Sequence, residues 1–419
     1  MALKKKPVNG MKDMMPGEME IRDYVIGMIK ETYRAFGFSS METPCMEHIE
    51  NLSSKQGGEN EKLIFKILKR GEKLKIDQAE SEADLVDGGL RYDLTVPLCR
   101  YYANYGNDLP SPFKSLQMGN VWRADRPQRG RFRQFMQCDI DVLGEASNLA
   151  EIELILATST LLGKLDFKNY TIRINDRRIL KAMAAFSGFE ENDYDSVFIT
   201  LDKMDKIGLE GVREELKNNN YQETVVDTYL GLFEQITGDI KGVKYLKEKL
   251  HGFLDSETAD SLEEIISCVE RAKETEFNIT FDPTLVRGMS YYTGTIFEIS
   301  MDEFGGSVGG GGRYDEMIGK FSGQITPACG FSIGFERIIM LLLENNYQVP
   351  TGKVKRAYLL DKNISGKELE QIFIVAKEQR AAGKQVTVIQ MKKNKKYQKE
   401  QLNNEGYTEM IDCYAGGNN

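Results

Sequence analysis

FKSLQMGNVWRADRPQRGRFRQFMQCDIDVLG, residues 113–144, is the stretch that decides the fold. Residues 113–125 and 131–144 are strand-like, and RPQRG at 126–130 joins them with turn chemistry, so the segment reads as a hairpin. Side chains alternate across a strand. The even positions of the second strand, Phe132, Gln134, Met136, Cys138, Ile140 and Val142, are mostly apolar and face a core. The odd positions are Arg131, Arg133, Phe135, Gln137, Asp139 and Asp141. That face runs from cations, through an aromatic ring and an amide, to carboxylates. Arg133 to Asp141 spans roughly 26 Å at ~3.3 Å per residue. The polarity suits an extended ligand with phosphates at one end and an ammonium or imidazole at the other. Arg123, on the facing strand, has the parity to join this face if the chain turns near Gln128. A half-exposed antiparallel strand alternates in the same way, so on this segment alone both readings stand.

Outward from the hairpin, residues 17–36 read as an amphipathic helix, with Ile21, Val25, Met28, Ile29 and Tyr33 at three–four spacing, Pro16 before it and Gly37 after it. A helix is expected at about 147–165 and a strand at 171–175. Residues 178–275 are helical in pattern and rich in Lys and Glu. Strand character returns over 279–300, followed by the glycine run 305–312 and the helix FERIIMLLLEN (335–345). VPTGK (349–353) resembles a linker. Beyond it, strand, helix, strand, helix, strand form a small α/β module.

The chain has 419 residues, enough for two to four domains without disulfides or structural metal. Its longest plain apolar run, Ile338 to Leu343, is far short of the ~20 residues that span a bilayer. The basic start MALKKKPVNG is followed by no apolar segment, so no secretory signal is expected there. Six cysteines stand singly, without CxxC, as expected for reduced cytoplasmic thiols. Two histidines leave little for a multi-histidine metal site or a Ser-His-Asp mechanism, and no protein-bound metal is expected.

Net charge is −9, but residues 353–419 carry +5, which leaves −14 for the rest. Arg123, Arg126, Arg129, Arg131 and Arg133 form a second basic focus, opposed only by Asp125. Local cations on an acidic body suit a protein that grips a polyanion at defined points. Solvated surface stretches are the competing reading, above all for the lysines at 392–399.

WRADRPQRGRFRQFMQCDIDVLG (122–144) resembles motif 2 of class II aminoacyl-tRNA synthetases. ACGFSIGFERIIMLLL (328–343) resembles their motif 3, and FGFSSMETPCME (36–47) their motif 1, with Pro44 as its proline. LVRGMSYYTGTIFE (285–298) is close to the signature of histidyl-tRNA synthetases, and LRYDLTVPLCRY (90–101) and GGGGRYD (309–315) are similar to segments of that family. The resemblance covers nearly the whole chain. It implies an α+β fold: an antiparallel sheet flanked by helices, a helical insertion and a small C-terminal α/β module. Its parts would be residues 1–177 and 276–348 for the catalytic domain, 178–275 for the insertion and 353–419 for a shortened anticodon-binding-like module. It implies a homodimer, through motif 1, acting in the cytoplasm without membrane attachment.

The reaction implied is activation of L-histidine by ATP, as its Mg2+ complex, and transfer to the 3′ end of tRNA(His), with no tightly bound cofactor. By similarity Arg123 touches the α-phosphate, Arg131 the β/γ end, and Arg287 the reacting carboxylate and α-phosphate. Phe135 and Arg337 would sandwich adenine, with Asp125 near its amino group. Asp93, Thr95 and Gln137 would hold the α-ammonium. Asp141 and Tyr292 would read the imidazole, with Tyr291 and Tyr314 nearby. Gly309–Gly312 would allow close backbone approach to the substrate. Blander readings stand beside these: a salt bridge for Arg287, a turn residue for Asp125, core and surface tyrosines for Tyr291 and Tyr292, a flexible turn for Gly309–Gly312. Ser290 departs from the family's usual Asp, and Asp93 from the Glu of many bacterial members. The module after Lys353 is expected to be without the last strand and helix usual there. The competing function is a synthetase-like regulatory subunit of ATP phosphoribosyltransferase. That paralogue is expected to have lost much of the arginine set, whereas Arg123, Arg131, Arg287 and Arg337 are all present here.

Overall fold

The hairpin forms where the alternation places it. In the computed structural model, which describes residues 3–53, 60–287, 291–350 and 354–416, its strands are paired from Phe113↔Leu143 to Trp122↔Gln134. The ladder continues past them, with Arg123 N–H donating to Arg133 O at 2.9 Å. Gln128 and Arg131 then exchange two backbone bonds of 3.1 and 2.9 Å around a two-residue turn. Gly130 takes φ +67 there, which costs glycine little.

The chain divides into two units, one of Met1–Met14 and Arg22–Asn345, the other of Met15–Ile21 and Asn346–Asn419. The first holds an eight-stranded sheet in the spatial order β1 (Ser39–Met41), β5 (Phe113–Trp122), β6 (Gln134–Leu143), β11 (Ala328–Ile333), β10 (Gly306–Arg313), β9 (Thr295–Met301), β7 (Tyr170–Asp176) and β8 (Asn278–Phe281). β1/β5 and β7/β8 are parallel; the other pairs are antiparallel. Beside it lies a small antiparallel sheet of β2 (Met46–Glu47), β4 (Val86–Leu90) and β3 (Lys66–Leu68). The expected α+β class with its antiparallel centre is what the chain adopts.

The glycine run is strand, not turn. In β10, Gly309–Gly312 pair with β9 on one side and β11 on the other. A Cβ on Gly311 would sit 1.9 Å from Gly330 O, so the strand fits only without side chains there.

In β6, Cys138, Ile140 and Val142 are core, at most 3% exposed, whereas Gln134 and Met136 are half-buried. Helix Pro16–Ala35 turns Val25, Ile29 and Tyr33 inward. Helix Phe335–Glu344 follows β11 and is pinned by Arg22, whose fork meets Glu336 at 2.6 and 2.9 Å. From Arg177 to Ala272 one helix follows another. Asp176, Asp239 and Asp255 cap three of them through side-chain bonds to backbone N–H groups.

The second unit carries a parallel sheet ordered β13 (Gln385–Gln390), β12 (Lys355–Leu360), β14 (Glu409–Cys413), with helices Gly366–Ala381 and Lys395–Asn404 between strands. Lys395 and Lys399 both pair with Asp412, at 2.5 and 2.9 Å, while Lys392, Lys393 and Lys396 are exposed. Among the described residues no helix is long and apolar enough to cross a membrane.

Candidate active site

The odd-numbered side chains of β6 open into a cavity of about 490 Å³. All thirteen residues singled out from sequence line it: Asp93, Thr95, Arg123, Asp125, Arg131, Phe135, Gln137, Asp141, Arg287, Tyr291, Tyr292, Tyr314 and Arg337. Ser290 lies outside the described residues. Residues from four separated segments meet here because β6, β10 and β11 are neighbours and Arg91 fixes the loop before the helix Thr95–Tyr105. The Arg91 guanidinium, 2% exposed, donates to Thr43 O at 2.6 Å and to Asn120 O at 3.0 Å.

The hairpin tip supplies the cationic end. Arg123 Nε donates to Tyr92 O at 2.8 Å, and its guanidinium lies 5.1 Å from the Phe135 ring centroid. Arg131 stands 3.9 Å from Asp125. Arg337 rests over Phe304 at 5.2 Å and donates to Ser307 O. Burial, then the nearby Arg131, pull its guanidinium below the ordinary arginine range.

Arg287 has φ +65, a left-handed conformation uncommon for a side-chain-bearing residue and costing of order 1–3 kcal/mol. Its Nη1 donates to Glu298 at 2.6 Å. Gly310 makes the room: a Cβ there would lie 2.8 Å from the guanidinium carbon.

The other end is acidic and buried. Tyr314 O–H donates to Asp141 Oδ1 at 2.5 Å, and Gly330, opposite Asp141 across β6/β11, leaves space for that carboxylate. Tyr314 is therefore the phenol bonded to Asp141, and Tyr292 stands between Tyr291 and Arg287. Tyr291 packs against Tyr292 and Tyr314, with ring centroids 4.8 and 6.1 Å away. Asp93 Oδ1 accepts from Val96 N–H at 3.1 Å. Burial raises the Asp93 carboxyl to about 6 and that of Asp141 to about 7. Asp139 is raised well above the usual range by burial and then by Asp141.

Asp93 Oδ2, Gln137 Oε1 and Asp141 Oδ2 are buried acceptors with no partner among the described residues. Buried polar atoms are nearly always satisfied. Three such acceptors in one cavity wall fit a ligand rich in N–H donors, and the arginines fit its anionic end.

Sequence reasoning assigned no role to Asp139, Ser332, Glu298 or Phe304, which also belong here. The parity of Asp139 was visible; its partner Ser332 comes from β11 and is set opposite it only by strand register.

A sheet with this order, and a motif 2 hairpin facing a motif 3 helix across one cavity, define a class II aminoacyl-tRNA synthetase catalytic domain. Within that class, the family model for histidyl-tRNA synthetase matches residues 10–338, and the chain belongs to the histidyl-tRNA synthetase family. It is 46% identical over 347 residues to the histidine--tRNA ligase of Leifsonia xyli subsp. xyli, covering 80% of each chain. It is 37% identical over 359 residues to that of Christiangramia forsetii, covering 82% of this chain and 78% of the other. The crystal structure of histidyl-tRNA synthetase from Nostoc sp. PCC 7120 matches with TM-score 0.77 at 26% identity, over 97% of this chain and 90% of that one. An ATP phosphoribosyltransferase regulatory subunit/histidyl-tRNA synthetase from Bacillus halodurans C has TM-score 0.78 over both full lengths at 21% identity, a likeness of fold.

Proposed function

We propose that the cavity is the site where this histidine--tRNA ligase makes histidyl-adenylate. A carboxylate oxygen of L-histidine attacks the α-phosphorus of ATP. The new P–O bond forms as the bond to pyrophosphate breaks. Charge grows on the phosphoryl oxygens, and preorganised cations stabilise it. Arg123 and Arg287 take that role, Arg131 the β/γ phosphates, and Phe135 and Arg337 the adenine, with Asp125 at its amino group. The magnesium ion arrives with ATP as part of the substrate. Asp93, Thr95 and Gln137 receive the α-ammonium; Asp141, bonded to Tyr314, receives the imidazole beside Tyr291 and Tyr292. A ribose hydroxyl at the 3′ end of tRNA(His) then attacks the activated carbonyl and AMP leaves.

The observation that carries this reading is the polarity of the cavity wall, with arginines gathered at one end and three unpartnered buried acceptors at the other. Selectivity follows at Asp141, because an amino acid without a side-chain donor there leaves its carboxylate unpaired. We place the protein in the cytoplasm as a homodimer; light scattering at micromolar concentration tests the dimer. The regulatory-subunit reading is not favoured, given ligase relatives at 46% identity and four retained arginines. Amino-acid-dependent ATP–pyrophosphate exchange tests the function. Exchange with histidine alone among the twenty amino acids is expected. Histidine binding with no exchange would leave the regulatory reading standing instead.

A further inference from the structure

β6 presents three polar side chains in succession to the cavity, and the middle one, Asp139, has no part in the reaction described above. Its carboxylate, 3% exposed, closes a triangle with side chains from two strands. Ser332 Oγ donates to Asp139 Oδ1 at 2.5 Å. Gln137 Nε2 donates to Ser332 Oγ at 3.1 Å and lies 3.5 and 3.4 Å from the two Asp139 oxygens. Strand register sets Asp139 opposite Ser332, so the contact belongs to the sheet and not to a loose loop.

The triangle has a direction. The Ser332 hydroxyl donates to Asp139, so its lone pairs are left for an N–H donor. The amide of Gln137 must turn its nitrogen toward this pair and its oxygen away. That oxygen, Oε1, is one of the three buried acceptors without a protein partner. With the carboxylate absent, both amide orientations become accessible, and the reversed one meets an ammonium with N–H groups.

We propose that Asp139 is a positioning residue: through Ser332 it locks the Gln137 amide with its oxygen toward the cavity, and so sets affinity for the α-ammonium of histidine without touching it. This rests on the assignment of Gln137 to that ammonium.

The test is equilibrium binding of L-histidine and of imidazolepropionate, which lacks the amino group, to the full chain. The variants are Asp139→Ala, Asp139→Asn, Ser332→Ala, Gln137→Ala and the double Asp139→Ala/Gln137→Ala. Asp139→Ala should weaken histidine binding about tenfold or more, the scale of one charge-assisted hydrogen bond. Single-turnover adenylation at saturating histidine, and the KM for ATP, should stay within ~3-fold, since the phosphate end is untouched. Asp139→Asn keeps an acceptor and should recover most of the affinity. Imidazolepropionate should bind wild type and Asp139→Ala alike. The double variant should be no worse than Gln137→Ala, because the two residues act as a unit. If Asp139→Ala does not fold, Ser332→Ala removes the relay and carries the same comparison. Additive losses in the double variant, or a loss for Asp139→Asn equal to that for Asp139→Ala, would overturn the positioning role and leave the charge itself as the cause. Wild-type histidine affinity in Gln137→Ala would instead overturn the assignment of the ammonium to Gln137, and the proposal with it.

Discussion

Arg123 Nε donates to the carbonyl oxygen of Tyr92 at 2.8 Å, one residue before Asp93. The bond ties the cation proposed for the α-phosphate to the segment proposed for the α-ammonium, so both ends of one amino acid are measured from a single stretch of backbone. The Arg123 side chain makes no other hydrogen bond among the described residues, which leaves its terminal nitrogens for a ligand. Arg123→Lys keeps the charge but loses both the Nε anchor and the planar fork. Adenylate formation in a single turnover should fall by ~10²-fold, with the melting temperature nearly unchanged. A rate within ~3-fold of wild type would mean that charge alone suffices and the tether is incidental.

Arg287 and Gly310 form a second pair in which a missing side chain matters. Arg287→Ala should lower adenylation by at least ~10²-fold, the usual consequence of removing one preorganised donor. Gly310→Ala should also lower it without removing any charge, since its Cβ would meet Phe297 O at 2.7 Å and the Arg287 guanidinium at 2.8 Å. Stopped-flow adenylation of the two variants side by side checks this. Full activity in Gly310→Ala would show that Arg287 works from another position.

The acidic end has a cost that pH can reveal. Burial raises Asp141 from 3.8 to about 7. The unfolded chain therefore ionises first as pH rises, and the penalty on the folded state grows between about pH 4 and 7 and is complete above 7. Its ceiling is ~4 kcal/mol for three pKa units at ~1.36 each. Asp141→Asn should raise the melting temperature of the ligand-free protein by several degrees at pH 8 and by much less at pH 5, while weakening histidine binding and sparing ATP. An equal shift at both pH values would show that Asp141 is not ionised at pH 8.

For tRNA, the lysines of the C-terminal unit do not count equally. Lys395 and Lys399 are committed to Asp412, whereas Lys392, Lys393 and Lys396 are exposed. Replacing Lys393 and Lys396 by Gln should shallow the salt dependence of tRNA binding by ~1–2 in slope, about one per lost phosphate contact. Histidine-dependent pyrophosphate exchange should be unaffected. Titrating labelled tRNA at several salt concentrations decides it, and unchanged slopes would leave these lysines as a solvated face.

Strong contrasts along one element were legible in the sequence. β6 could be read because cations, amide and carboxylates alternate with apolar residues at a period of two. The glycine run could not, because four residues without side chains carry no periodicity, and only pairing with β9 and β11 makes them a strand. Nor could the choice of phenol: the resemblance put Tyr292 with Asp141 and Tyr314 nearby, and the fold sets Tyr314 against Asp141. Ser332 meets Asp139 across 193 residues of sequence, a contact that exists only through strand register. The lysine run at 392–399 looked uniform because Asp412, which takes two of its members, lies on a later strand.

The central claim is that one cavity holds both halves of histidyl-adenylate, phosphate toward the hairpin tip and imidazole toward Asp141. A non-hydrolysable histidyl-adenylate analogue spans both halves at once. Its dissociation constant should rise at least ~10-fold in Arg123→Ala and again in Asp141→Asn, and remain unchanged in Lys396→Gln. Wild-type affinity for the analogue in both cavity variants would contradict the account.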